Sequence, residues 1–217
     1  RALRARDEQL ALVIEGSQAG LWDCQALTGD IECNERWAQM LGYRLSELLP
    51  LRLATLIELT HPADVPPAAQ QLSAHFAGAT GALEGEVRLR HRDGSWVWLL
   101  VTGKVVGWTD DGRPDRVAGT CIDITRRMRA EAMLVESRNL LQTIIDTAPL
   151  RVFWKDRRSR YLGCNPAFAR DAGKEDPTDI VGCDDFQMSW ASEAEQYRAD
   201  DQNVMSTGLA KLGYDEP

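Results

Sequence analysis

The sequence predicts an α+β fold in which two similar domains follow one another along the chain. Each is expected to contain a five-stranded antiparallel sheet with short flanking helices, the second domain being truncated. The length of 217 residues corresponds to about one and a half ordinary domains. Short alternating segments separated by turn residues indicate antiparallel strands, and a short motif recurs 131 positions further along the chain. These three observations together predict the tandem arrangement.

Four segments are expected, with a long helix between the two domains. They are an N-terminal amphipathic helix (1–16), a first domain (17–126), a linker or signalling helix (127–147) and a second domain (148–217). The N-terminal helix is predicted because its leucines are interleaved with charged side chains, which gives one apolar stripe.

The first domain is expected to open with a β-hairpin and a short helix. Strands are predicted at 21–24 and 31–33, on either side of a glycine-containing turn. Asn34 can cap the helix predicted over 35–41, and Gly42 ends it. The hairpin and the short helix are therefore predicted from residues that are close together in the sequence.

The rest of the first domain is expected to be a loop, a helix and a three-stranded meander. The loop over 61–67 follows from its prolines, which restrict the residues before them as well. Three strands are predicted at 83–90, 96–107 and 116–124, and their short connections make them antiparallel neighbours.

The linker helix carries apolar side chains at three- and four-residue spacings. They are Met128, Ala132, Val135, Leu141, Ile144 and Ile145. Two interpretations stay open: the seam packs on its own domain, or it forms a two-stranded coiled coil in a homodimer.

An internal repeat defines the second domain. The sequence Cys33-Asn34 is followed by Trp37-Ala38, and Cys164-Asn165 is followed at the same spacing by Phe168-Ala169. A repeat of this length indicates two whole domains rather than a solenoid. The second copy has no meander, so we expect this chain to be a fragment of a longer one.

Composition narrows the classes of function. The formal net charge of −8 argues against a nucleic-acid partner, and the short apolar runs predict no membrane contact. The five cysteines and three histidines lack the spacing of a zinc site, so no metal is expected. No catalytic motif is present. We therefore expect a non-catalytic cytoplasmic region.

Several motifs give the first domain a resemblance to the PAS family. They are Gly42-Tyr43, the His61-Pro62-x-Asp64 loop, Arg92-Asp93-Gly94-Ser95-Trp96 in the second hairpin, and Asp123-Ile124-Thr125 at the end of the last strand. In that family the final Asp and Thr fasten the last strand to the outgoing signalling helix, and Asp123 and Thr125 match them. The resemblance implies two tandem PAS-like domains.

The family's meander implies which side chains face its ligand cavity. The inner face would carry Val87, Leu89, Leu99, Val101 and Cys121, and Trp96 and Trp98 would face outward. A register slip of one residue would exchange these two faces.

The resemblance also implies a cofactor site between the inner sheet face and the short helices. The candidate cofactor-binding residues are Trp22, Asn34, Trp37, His61, Asp64, Val87, Leu99 and Cys121. An indole can stack on a planar ring and donate one hydrogen bond, which suits a flavin. Ordinary core burial of the tryptophans and loop capping by His61 and Asp64 are the alternatives.

The expected cofactor is FAD or a related flavin, with haem as a second option in which His75 would be the axial ligand. Photoadduct chemistry of the light-sensing flavin branch is not expected. That branch needs polar amides on two strands and a glutamine on the last, where this sequence has Leu89, Leu99 and Cys121.

Two functions follow from the resemblance. In the first, the chain is the signal-input module of a bacterial sensor protein, which detects redox state or oxygen through the flavin and relays to a C-terminal histidine kinase of the same chain. In the second, it is a cofactor-free interaction and dimerisation module. Both imply a homodimer through the N-terminal and linker helices.

Overall fold

The computed structural model describes residues 16–212, so the predicted N-terminal helix lies outside the described residues except for Gly16. The chain forms two compact units, Arg1–Ala132 and Met133–Pro217. The boundary between them falls within a long helix, and each unit is described by itself below.

The first unit contains one antiparallel sheet of six strands in the order β3-β2-β1-β6-β5-β4. The strands are β1 (Gly20–Gln25), β2 (Asp30–Cys33), β3 (Leu51–Arg52), β4 (Leu83–Arg90), β5 (Trp96–Trp108) and β6 (Pro114–Asp123). Its helices are α1 (Glu35–Met40), α2 (Leu45–Leu48), α3 (Leu53–Leu59) and α4 (Val65–Phe76), followed by the long α5 (Thr125–Thr147). The predicted hairpin, short helix and meander are confirmed.

The sheet has one strand more than the five predicted. The additional strand, β3, pairs Leu51 with Ile31 and Arg52 with Asp30. The side chain of Leu51 is buried, which anchors this edge to the core. Two residues are too few to produce the alternation by which strands are recognised, and the sequence also gave no indication of α3.

One face of the meander carries the core of the first unit. The register pairs Leu89 with Val97 on β4–β5 and Val101 with Cys121 on β5–β6. The buried core residues are Ile31, Trp37, Met40, Leu41, Leu51, Leu59, Leu89, Val97, Leu99 and Cys121. Because side chains alternate along a strand, Trp96 and Trp98 lie on the opposite face, and the predicted assignment of faces is confirmed.

Helix α5 leaves most of its predicted apolar seam in solvent. Val135, Leu141 and Ile144 are 58%, 58% and 55% exposed, whereas Met128 and Ile145 are half-buried, and Thr125 is the one buried residue of the helix. The first of the two interpretations of the seam, packing on its own domain, is therefore wrong for Val135, Leu141 and Ile144.

The second unit is a short hairpin surrounded by helical turns. Its elements are β7 (Phe153–Lys155), β8 (Tyr161–Cys164), α6 (Pro166–Asp171), three 3₁₀ turns (Pro177–Ile180, Asp185–Gln187 and Ala191–Glu193) and α7 (Ala194–Thr207). A core of its own forms around Tyr161, Phe168, Ile180 and Met188.

Across residues 16–212, no helix combines the length and the apolar character needed to cross a lipid bilayer.

Candidate functional site

An asparagine fastens the hairpin to the short helix in both units. Asn34 Oδ1 accepts hydrogen bonds from the backbone N–H of Leu21 at 3.0 Å and of Trp37 at 3.0 Å. Asn34 caps α1 in this way and joins it to β1, while its Nδ2 donates to the carbonyl of Ala19. The side chain predicted to bind a cofactor is thus used for local structure.

Asn165 repeats this arrangement 131 positions later. Its Oδ1 accepts from Val152 N–H at 3.1 Å and from Phe168 N–H at 3.0 Å. Its Nδ2 donates to the carbonyls of Ile145 and Leu150. The backbone angles of the two asparagines agree within a few degrees, with φ −86° and ψ 167° at Asn34 and φ −89° and ψ 165° at Asn165.

The apolar residues predicted to hold the cofactor lie in or against the core of the first unit. Trp37 is 4% exposed, and Leu99 and Cys121 are fully buried. Val87, which is half-buried, packs against the same cluster. Burial raises the pKa of the Cys121 thiol to about 12, so this thiol stays protonated and unreactive at neutral pH.

The Trp22 ring packs against two glycines of the inner sheet face. A Cβ atom at Gly103 or Gly119 would stand 2.7 Å from the indole ring, and the indole Nε1–H donates to the carbonyl of Thr120 at 3.2 Å. A side chain at Gly103 would collide with the ring, and one at Gly119 would collide with the Thr102 carbonyl as well. The indole itself therefore covers part of the face on which a flavin was expected.

His61 and Asp64 lie at the edge of the sheet, beside β4. Asp64 receives three hydrogen bonds from Arg88, one from its backbone and two from its guanidinium. These bonds hold the pKa of the Asp64 carboxyl below its usual value. The ring centroids of His61 and Trp96 are 4.7 Å apart, and the two rings meet in a T-shaped arrangement. Since Arg88 and Trp96 point to the outer face, this pair is separated from Leu99 and Cys121.

The eight predicted residues therefore do not form one site. Trp37, Leu99 and Cys121 belong to the buried core, and Trp22 and Val87 pack against it. Among the other three, Asn34 and Asp64 are engaged in protein hydrogen bonds, and His61 Nδ1 accepts the backbone N–H of Ala63 at 3.2 Å. Val87 and Leu99 offer no hydrogen-bonding group to a flavin, whose site needs a few well-placed polar partners.

The second cofactor option meets a similar obstacle at His75. This buried side chain accepts the backbone N–H of Val105 at Nε2, 3.2 Å away. Its Nδ1 lies 3.1 Å from the carbonyl of Thr80. Both ring nitrogens are thus occupied, and ligation of a haem iron would require breaking one of these bonds.

The junction between the sheet and α5 is tightly bonded. Asp123 Oδ1 accepts the backbone N–H of Thr125 at 2.8 Å. The Thr125 Oγ1 accepts the backbone N–H of Trp98 at 3.0 Å, and Arg127 forms an ion pair with Glu86 on β4. The first turn of α5 is therefore attached to three adjacent strands, β4, β5 and β6.

A buried charged cluster in the second unit was not found from the sequence. Lys155 Nζ lies 2.8 Å from Asp185 and 2.9 Å from Asp201, and the Lys155 and Asp185 side chains are 8% and 1% exposed. Tyr161 and Trp190 donate to the same oxygen of Asp185, from 2.6 and 3.4 Å. Burial and the neighbouring Asp185 raise the pKa of Tyr161 far above its usual value.

This cluster could have been suspected from one signal. Lys155 stands 131 positions after Cys24, so the repeat places a charge where the first copy has a half-buried thiol. A lysine at an interior position needs an acidic partner, but the partners lie 30 and 46 positions away.

Comparison with known proteins agrees with the fold of the first unit. The family model described as "PAS fold" matches residues 30–121. A sensory box histidine kinase/response regulator from Burkholderia thailandensis is 30% identical in a solved structure, with a TM-score of 0.54, and the match covers 62% of this chain and 98% of that one. The chain therefore belongs to the PAS family.

Two further relatives carry related names. A blue-light-activated histidine kinase from Brucella anthropi is 27% identical over 126 residues, which are 58% of this chain and 24% of that protein. The N-terminal domain of a diguanylate cyclase with PAS/PAC sensor from Marinobacter aquaeolei is 22% identical, with a TM-score of 0.44, and the match covers 51% of this chain and 98% of that one. The chain spans about a quarter of the curated relative that it matches.

Proposed function

We propose that this chain is the signal-input module of a sensor histidine kinase, in which the first PAS domain passes its signal into α5. We further propose that residues 148–217 form a second PAS-like copy. The kinase names of two relatives support the first part, and the matching asparagine geometry supports the second.

The bonded junction at Thr125 is the observation that carries this proposal. Thr125 joins α5 to β5 through one side-chain oxygen, and Asp123 joins it to β6. A displacement of either strand would thus move the first turn of α5. A contiguous set of bonds between the sheet and the helix can carry coupling of this kind.

A kinase fusion tests the relay. The chain is fused to the catalytic core of a histidine kinase, and autophosphorylation is compared between the wild type and Thr125→Val. Removing the acceptor for Trp98 should change the phosphorylation rate by about fivefold or more. Thr143→Val, on an exposed turn of the same helix, is the matched control and should have no effect. Equal rates for Thr125→Val and the wild type would refute the relay.

We propose that the first domain works through its packed interior and without a cofactor. The full burial of Leu99 and Cys121 and the position of the Trp22 ring support this function over flavin-based redox sensing. Visible absorption of the purified protein, before and after incubation with FAD, decides between them. Stoichiometric flavin absorption that survives gel filtration would favour redox sensing.

We propose that α5 pairs with α5 of a second copy. Leu134, Leu141 and Ile144 are exposed and follow the seven- and three-residue spacing of a coiled-coil seam. Sedimentation should give a dimer for the wild type and a monomer for Leu141→Glu. Asn139→Glu, at an exposed position of α5 outside the seam, should leave the dimer intact.

A further inference from the structure

The second unit contains a cavity with a mixed aromatic and charged lining. Its volume is about 300 Å³. The aromatic side chains that line it are Phe153, Tyr161, Phe168, Trp190 and Tyr197, and the charged ones are Arg151, Lys155, Asp171, Asp185, Asp200 and Asp201. Nothing in the relay described above uses this cavity.

One wall is built of rings in mutual contact. The centroids of Phe153 and Phe168 are 4.5 Å apart, and that of Trp190 lies 5.4 Å from Phe168. Lys155 Nζ lies 4.7 Å from the centre of the Tyr161 ring and 5.5 Å from that of Phe153. An alkylammonium group of the protein is thus already held against these rings by cation–π attraction.

The lining of the cavity carries more carboxylates than cations. Arg151 pairs with Asp171, and Lys211, from outside the lining, pairs with Asp200. Lys155 forms ion pairs with both Asp185 and Asp201. Three cations therefore face four carboxylates, and one negative charge remains near Asp201, whose side chain is 28% exposed.

We propose that this cavity binds a small organic cation of the alkylammonium class. The aromatic wall would contact the alkyl groups, and the carboxylate at Asp201 would offset the charge. An uncompensated charge in a largely buried site is costly, so a cationic ligand gains more there than a neutral one. Small anions are disfavoured because Arg151 and Lys155 already have carboxylate partners.

Calorimetric titration of the whole chain with three probes tests the charge requirement. Choline should bind. Its uncharged isostere 3,3-dimethyl-1-butanol should bind at least about tenfold more weakly, which corresponds to about 1.4 kcal/mol. Acetate should not bind. Equal affinity for the first two probes, preference for acetate, or no binding of choline would each overturn the proposal.

A pair of variants locates the site. Asp201→Asn keeps the Lys155–Asp185 pair and removes the surplus charge, so choline affinity should fall about tenfold or more. Asp179→Asn changes an exposed carboxylate of the same unit that does not line the cavity, and it should leave the affinity unchanged. A circular-dichroism melting curve confirms that each variant is folded. Undiminished choline binding by folded Asp201→Asn would overturn the proposal.

Discussion

The two units share one local frame and differ in what that frame encloses. In each, an asparagine caps the short helix and accepts a second backbone N–H, from Leu21 in β1 or from Val152 just before β7. The oxygen contacts are 3.0 and 3.0 Å at Asn34 and 3.1 and 3.0 Å at Asn165. The first unit encloses apolar side chains and protonated thiols, whereas the second encloses a lysine and two aspartates.

Equivalent positions on the first strand show how this difference arises. Burial raises the pKa of the Cys24 thiol, which stays neutral and needs no partner. Lys155, at the matching position, is held by Asp185 and Asp201 instead. The same frame can enclose an apolar or a charged interior because its hydrogen bonds are made by the backbone and by one asparagine. None of these bonds involves the side chain of Cys24 or of Lys155.

The largest expected effect comes from breaking the charged interior. Lys155→Met leaves Asp185 buried without its cation, which should destabilise the second unit by about 3–5 kcal/mol. Cys24→Ala, the matched change in the first unit, should cost no more than about 1 kcal/mol. Urea titration followed by hydrogen exchange over residues 148–207 measures the first effect.

A double variant separates charge from packing in that result. Lys155→Met combined with Asp185→Asn removes both charges and keeps an acceptor for Tyr161 and Trp190. It should therefore be more stable than Lys155→Met alone. If the double variant is less stable than Lys155→Met alone, the lysine stabilises the second unit through the packing of its methylene chain. The buried charges would then not be the feature that distinguishes this unit.

The asparagine frame should give a smaller, graded effect. Asn165 is fully buried and makes four hydrogen bonds, whereas half-buried Asn34 makes three. Asn165→Ala should cost about 2 kcal/mol and Asn34→Ala about 1 kcal/mol. Unit-specific hydrogen exchange under urea reports both values, and equal losses would contradict the ranking.

Aspartate substitutions provide the control for the frame. An aspartate keeps both acceptor contacts and loses the donor contacts, which number one at Asn34 and two at Asn165. Asn34→Asp should therefore recover a larger share of its stability than Asn165→Asp.

Local pattern explains what could be predicted from the sequence. The hairpins, the asparagine caps and the face assignment of Leu89 and Leu99 all follow from alternation and turn residues within a few positions. β3 could not be predicted, because two residues contain no period and its pairing depends on the burial of Leu51.

The sites were harder to predict than the elements, because they depend on long-range contacts. Trp22 and Trp37 were expected to hold a planar cofactor, but both complete the core, Trp22 over glycines 81 and 97 positions away. The charged cluster was missed because a lysine on a strand is usually a solvent-facing residue. Only the fold shows that Asp185 and Asp201 meet it.

The smallest expected effect concerns the Asp64–Arg88 ion pair at the edge of the sheet in the first unit. Because its bonds with Arg88 lower the pKa of Asp64, this pair stabilises the folded state above the unfolded-state pKa of about 4. That contribution is lost as the pH falls through the lower folded-state pKa. Asp64→Asn should thus cost about 1 kcal/mol at pH 7, and the deficit should shrink as the pH falls below about 4.

Urea titrations of the wild type, Asp64→Asn and the exposed control Asp110→Asn, from pH 7 to below about 4, measure how this stability deficit changes with pH. If the stability deficit of Asp64→Asn does not depend on pH, Asp64 acts through hydrogen bonds that do not need its charge. The contrast between an ion pair at the sheet edge and one in a domain interior would then rest on Lys155 alone.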